Sequence, residues 1–319
     1  MSLVLNKYKW NEFEVGDIFL VDRGFRDSLQ AIEKKGFVAK MPYFADKPSA
    51  QLSTMQANAS RLVTKSRYVV ELVNGIIKQL FKYVHMTIHS STVSDVFEDF
   101  KIACAIYNCI FTPISSKTSK AVTDKMLRNV NEENKLANLV IEEKLNKKRN
   151  IFKPIQDLEL HNFPRLQLDD LTLYTCGSYQ LKMARSYYAQ HVSENDDFKC
   201  DAVTETQKID YSKYGIDIDP YNAILLKARI SSKHFNAVKY FVYILVDTRS
   251  KNIDSIRGHY CACKVGKRVV GCCSHVALLL WYFSYARFLK FIHLPSASLS
   301  NIFMDKESEY ESDNEEEED

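Results

Sequence analysis

The 319-residue chain reads as an α+β protein, and three observations carry that expectation. Residues 223–232 and 237–247 are two runs rich in aliphatic and aromatic side chains, the pattern of paired strands. Val276 to Phe283 is an unbroken apolar run that continues through Tyr285, Phe288 and Leu289, which predicts a buried helix. A long helical pattern runs from about Ser53 to Val84, and a second period over 123–150 places Met126, Leu127, Val130, Leu136, Leu139, Val140 and Leu145 on one stripe. With 46% hydrophobic and 26% charged residues the chain is ordinary globular material, long enough for about two domains, and it shows no internal repeat.

The remaining elements follow in order. Asp17 to Asp22 (DIFLVD) is a short apolar run closed by Arg23-Gly24-Phe25, a buried-strand signal that puts the Asp22 carboxylate at a strand end. Arg67, Glu71 and Lys78 then fall on one face of the long helix, being four and seven residues apart. Such a set is either a solvated ion pair or a metal-binding carboxylate flanked by phosphate-binding cations. Ile114 to Lys120 turns to Ser, Thr and Lys and reads as a linker. Lys147-Lys148-Arg149 is a basic cluster, either a helix end or an import signal. Asp169-Asp170 can cap a helix broken near Gly177, whose stripe of Tyr179, Met183, Tyr187 and Tyr188 reads as core. His161, His191 and His234 stand outside any ligand spacing. On the second strand, Val238, Tyr240, Val242, Ile244 and Val246 share one face, and the other face is also apolar.

Three of the eight cysteines and one of the eight histidines stand close together: Cys261, Cys263, Cys273 and His275 form C-x-C, nine residues, C-x-H. Zinc takes about four thiolate or imidazole ligands in a tetrahedron, and two short-range pairs joined by a turn can supply them. Gly266 and Lys267 provide the turn, and Gly271 the bend before the second pair. The alternative is four buried, reduced side chains, and Cys272 could replace Cys273. The spacing followed by an apolar helix resembles the SWIM zinc finger, which implies one structural Zn²⁺, a ββα module, Cys273 as the ligand, and either nucleic acid or protein as the partner.

A second resemblance lies upstream. GDIFLVDRGF, the R-x-x-x-E-x-x-x-x-x-x-K spacing of Arg67, Glu71 and Lys78, and FEDFKIACAIYNC (Phe97 to Cys109) resemble the C-terminal half of a Harbinger-like DDE superfamily endonuclease. Thr64 stands where that signature has Tyr, and the likeness spans residues 14–112. It implies a partial RNase H-like unit, with Asp22 as the second catalytic Asp, Glu71 as the Glu, and Arg67 and Lys78 at phosphates. The first catalytic Asp would lie far upstream. Asp17, the only Asp before Asp22, is an odd number of residues away on one strand and points to the other face. Two-metal chemistry needs the complete carboxylate set, so this chain alone is expected to be nuclease-dead, with Mg²⁺ relevant only to a complete DDE site.

Charge sets the partner class. Glu307 to Asp319 holds nine acidic residues; the rest of the chain has 43 basic residues against 31 acidic ones, and 223–293 alone has twelve Lys/Arg against two Asp. That balance suits nucleic acid, with DNA favoured and Lys264, Lys267 and Arg268 as phosphate contacts, or it is a solvated basic face. Ser308 and Ser312 lie among acids. No signal region or membrane-length apolar run is present, and the cysteine usage fits a reducing compartment, so the expectation is a soluble intracellular protein of the nucleus. The expected division is 1–115 partial DDE/RNase H-like domain, 116–200 helical linker region, 201–294 zinc module with its backing hairpin, and 295–319 disordered acidic tail. A transposase-derived, zinc-stabilised nucleic-acid-binding protein is the favoured reading, against a DDE endonuclease with a missing upstream segment or a protein-interaction adaptor.

Overall fold

A strand on which Val242, Ile244 and Val246 alternate with Tyr243 and Leu245 has no polar face, so it needs cover on both sides. The computed structural model describes residues 13–45, 47, 50–86, 95–110, 119–148, 151–154, 163–191, 199–203, 208–232 and 238–292. It divides the chain into two units, Met1–Glu133 with Arg268–Val270 and Asn134–Lys267 with Gly271–Asp319. The helices expected as one linker region over 116–200 are thus shared between both units. The acidic tail, His161, His234 and most of the Ile114–Lys120 linker lie outside the described residues.

In the second unit, β3 (Phe152–Pro154), β4 (Lys199–Val203), β5 (Ala223–Ser231), β6 (Lys239–Asp247) and β7 (Ile256–Cys261) form an antiparallel sheet in sequence order. Leu226, Ala228, Ile230, Val242, Ile244 and Val246 face α7 (Leu168–Thr175), α8 (Tyr179–His191) and α9 (Ser274–Ser284). Leu225, Tyr243 and Leu245 face α6 (Lys135–Glu142) and the loop residues Ile209, Tyr211, Ile216 and Ile218. Both faces are therefore core, which explains the missing polar alternation. Lys227 shares the second face, with its ammonium 4.4 Å from the Phe152 ring centroid and 5.0 Å from that of Phe241, so aromatic faces offset part of its desolvation.

The first unit has a two-stranded parallel pair, β1 (Ile18–Leu20) and β2 (Val38–Lys40), in the register Ile18↔Val38. Phe13, Phe19 and Phe37 cluster beside it. The strand expected at 17–22 is present, but its burial is not: Ile18 is 63% and Leu20 42% exposed, since among the described residues β1 pairs with β2 alone. Between the strands lies α1 (Leu29–Glu33). The long helix is α2 (Thr54–Leu80), started by a Ser53–Gln56 capping box. A short α3 (Lys82–His85), α4 (Val96–Ile110) and α5 (Ser119–Asn129) follow. The N-terminal half of α2 is buried through Ala57, Asn58 and Val63, whereas Tyr68, Val69 and Val70 are exposed.

Three expectations need correcting. The period over 123–150 is two helices, α5 and α6, and Leu127 on the expected stripe is 62% exposed. Tyr179 is 56% exposed, because it opens α8 before the helix reaches the core. The apolar helix after His275 stops at Ser284, where Tyr285 takes φ −135° and ψ −62°, and Phe288 and Leu289 turn outward on a 3-10 turn.

The end of β6 generates a pH prediction. Asp247 is buried, and burial alone would push its carboxyl up. The Arg249 N–H at 3.0 Å and the Arg257 guanidinium at 3.1 Å outweigh that and hold it below the ordinary value. Its contribution to stability is therefore present above the unfolded carboxyl pKa of about 4 and lost as the pH falls through the lower folded value. Asp247→Asn should be less stable than the parent at pH 7 and should lose stability less steeply on acidification. Parallel urea titrations from pH 7 to pH 3 check this, and identical acid limbs would refute it.

Candidate metal centre and acidic cluster

The Cys/His centre is assembled at the junction of β7 and α9. Cys261 is the last residue of β7, opposite Val242, and the Ala262 N–H donates to the Phe241 carbonyl at 2.8 Å, carrying the sheet one step past it. The chain then reverses: the Cys261 N–H donates to Gly266 O and the Gly266 N–H to Cys263 O. A side chain at 266 would put a Cβ 2.0 Å from the Cys261 carbonyl, so only glycine closes this turn. The Cys263 N–H reaches the Cys261 sulfur at 3.4 Å. Cys273 caps α9 in extended backbone, and His275 stands in the first turn.

One ligand atom from each of Cys261, Cys263, Cys273 and His275 lies within 4.8 Å of the others, and all four residues are buried. Among the described residues this is the only group of three or more such side chains drawn together for a metal ion. Cys272, the alternative from the sequence, is buried but outside the group. The donor set of three sulfurs and one imidazole fits a metal ion such as zinc. His275 Nδ1 faces the Cys261 sulfur at 3.7 Å, and Tyr187 and Tyr240 pack against its ring at 5.1 and 5.0 Å. Burial pushes the Cys261 thiol far up, while hydrogen bonds from Cys261, Cys263 and His275 hold Cys273 far down against its own burial. Three sulfurs so confined favour a shared cation over separate thiolates.

Residues far away in sequence hold this geometry, and the motif gave no sign of them. Asn134, 2% exposed, caps α6 by accepting from the Ala137 N–H and donates to the carbonyls of His259 at 2.9 Å and Lys267 at 3.0 Å. It thereby ties both arms of the C-x-C turn. The Tyr174 hydroxyl meets His259 Nδ1 at 2.6 Å and, with its pKa raised by burial, stays protonated as the donor.

In the first unit, Asp22 caps a 3-10 turn by accepting from the Arg23 N–H at 2.6 Å. Its other oxygen lies 3.4 Å from Arg67 Nη2, and the same nitrogen lies 3.5 Å from Glu71. The structure thus brings Asp22, Arg67 and Glu71 together, with the arginine as the shared centre. The carboxylates are more than half exposed, so these pairs add little stability. Lys78 stands two turns further along α2, exposed. Asp17 turns away to accept from the Glu14 N–H at 3.0 Å. Of the expected phosphate contacts on the zinc turn, Lys264 is exposed and Lys267 half-buried, whereas Arg268 is only 8% exposed, so its guanidinium does not offer itself to solvent.

Comparison with known proteins fits this division. Residues 2–108 match a family described as DDE superfamily endonuclease, a stretch that contains Asp22, Arg67, Glu71 and Lys78 and stops short of the Cys/His centre. No curated protein and no solved structure matches the chain. Among the described residues no helix is long and apolar enough to cross a membrane.

Gly271 tests the geometry of the second ligand pair. Its φ is +65°, and an added Cβ would fall 2.4 Å from the Thr175 carbonyl. Gly271→Ala should cost more than about 2 kcal/mol, combining left-handed strain with a backbone collision. Gly75→Ala, with open space around it on α2, should be neutral or mildly stabilising. Thermal unfolding of the two variants decides, and equal effects would contradict the close approach.

Proposed function

We propose that this chain is a transposase-derived, zinc-stabilised nucleic-acid-binding protein whose DDE-like unit does not cleave DNA by itself. The observation that carries the reading is the combination of the DDE endonuclease match over 2–108 with a buried Cys₃His cage outside it. When bound, zinc supplies a four-point cross-link between the β7 turn and α9 and neutralises the sulfurs. Cys261, Cys263, Cys273 and His275 are its ligands, and the module follows the SWIM pattern. Asn134 fixes the turn, and Gly266 and Gly271 allow the chain its close approaches.

The silent nuclease follows from the acidic cluster. Asp22 and Glu71 sit at the positions of two catalytic acids in the resembled family, yet both lean on Arg67, whose charge stands where carboxylates would otherwise share a cation. Among the described residues no third carboxylate joins them. With the nine-residue excess of acid in Glu307 to Asp319 set apart, the remainder of the chain is strongly basic. Lys264 and Lys267 are the phosphate contacts of the zinc turn, Arg67 and Lys78 those of the DDE-like unit. A nuclear location fits that partner.

Purified protein should carry about one zinc per chain. Cys261→Ser or His275→Ala should release it and unfold the C-terminal unit, because binding energy at such sites is folding energy. Elemental analysis and circular dichroism check this, and folded, zinc-free parent protein would end the reading.

Nucleic-acid binding should fall steeply with salt, by roughly 0.9 in log slope for each duplex phosphate neutralised. Deleting Glu307 to Asp319 should tighten it, most at low salt where screening is weak, because a tethered acidic segment competes at high local concentration. With Mg²⁺ present the DNA should stay intact. Absence of binding with and without those residues would favour a protein-interaction adaptor, and cleavage abolished by Asp22→Asn would revive the endonuclease.

A further inference from the structure

A histidine can offer a metal either of its two ring nitrogens, and the choice fixes how the ring must stand. In the Cys/His centre His275 follows Cys273 by two positions, in the first turn of α9. Nδ1 is the nitrogen bonded beside the ring carbon that joins the main-chain arm, so it reaches a nearby ion from a short arm where Nε2 overshoots. The observed separation agrees. Zn–S bonds of about 2.3 Å and Zn–N bonds of about 2.0–2.1 Å, at a tetrahedral angle, set a sulfur and a nitrogen on one ion about 3.6 Å apart. His275 Nδ1 lies 3.7 Å from the Cys261 sulfur.

The other nitrogen tells the same story from the opposite side of the ring. His275 Nε2 is buried, and among the described residues no hydrogen-bond partner reaches it. A metal-bound histidine ordinarily donates its second N–H to a carboxylate, a carbonyl or water, and that bond orients the ring. Here packing holds the ring. Tyr187 of α8 meets it edge-on, 5.1 Å between centroids and 72° between planes, and Tyr240 of β6 lies at 5.0 Å and 48°. Neither α8 nor β6 carries a ligand of the centre. Two aromatic neighbours suit a neutral imidazole, whose remaining N–H can rest against a ring.

We infer that His275 binds zinc through Nδ1 and carries its hydrogen on Nε2, with Tyr187 and Tyr240 as the positioning residues that hold the ring. This rests on the zinc reading above and adds the atom that binds and the groups that orient it.

The test is NMR of the full chain, labelled with nitrogen-15 at histidine and loaded with cadmium-113 in place of zinc, because a nitrogen bonded to that metal is split by it. One of the eight histidines should show the splitting, at Nδ1, with Nε2 as its protonated nitrogen. Splitting at Nε2 would overturn the inference and leave the metal on the same four residues. Bound cadmium with no histidine split would overturn it and remove His275 from the ligand set. A parent that holds neither zinc nor cadmium sinks the zinc reading and the inference with it. Tyr240→Leu should lose zinc to a competing chelator about tenfold more readily and shift the visible spectrum of the cobalt(II) form. Tyr240→Phe keeps the ring and should match the parent in both. Equal retention in all three proteins, or a Phe variant as weak as the Leu variant, would deny the Tyr240 ring its role.

Discussion

Three sulfurs and an imidazole confined within 4.8 Å in a buried pocket impose a charge problem on everything around them. Ionised thiolates without a cation would repel each other in a medium that screens them poorly. Neutral thiols would leave weak donors and acceptors stranded in the core. The backbone around the cage is shaped to one answer: β7 overruns its own end through the Ala262–Phe241 bond, Gly266 folds back onto the Cys261 carbonyl, and Gly271 takes a left-handed turn against Thr175. Each of these steps costs conformational freedom, which four ligands on one ion would offset. Asn134 then makes the arrangement depend on α6, because a single side chain satisfies both a helix start and two carbonyls of the turn.

The acidic cluster of the first unit solves a different charge problem by a weaker device. One arginine nitrogen serves two carboxylates at 3.4 and 3.5 Å, in side chains that remain largely wet. Long, exposed pairs of this kind hold geometry loosely, so Asp22 owes its position chiefly to the Arg23 N–H that it caps. Around it, Ile18 and Leu20 on β1 and Val69 and Val70 on α2 are more exposed than residues of their kind in a closed sheet-and-helix core. The first unit thus keeps its acids by local hydrogen bonds and side-chain pairing, whereas the second keeps its ligands by burial.

How much of this could be read in advance follows from sequence separation. The four cage residues lie within a stretch of fifteen positions, so spacing alone brought them into one group, and β5, β6 and α9 announced themselves by runs of apolar residues. Asn134 bonds to a carbonyl 125 positions away and Tyr174 to a histidine 85 away, and nothing local marks either partner. Charge in a sequence likewise carries no burial: Lys264, Lys267 and Arg268 look alike, yet Arg268 is inside. The apolar run after His275 has no glycine or proline before Pro295, so its helical part seemed to extend past Ser284. At its end the Leu166 N–H, from a distant segment, donates to the Ser284 carbonyl.

That early stop decides which residues the end of α9 presents to solvent. Nine of the eleven residues of α9 are buried, and it sits against α8, β6 and β7, so it offers little surface to a ligand. A continuous helix to Leu289 would have carried Phe288 further along the same axis. Ending it at Ser284 instead swings Phe288, Leu289 and Phe291 into solvent, at a point held by a backbone bond to the segment that carries Arg165. The anchoring uses main-chain groups at the end of a largely buried helix, which is capped by Cys273 and carries His275 in its first turn. Cys273 and His275 at its first turn and the Leu166–Ser284 bond at its last thus tie α9 to other segments at both ends.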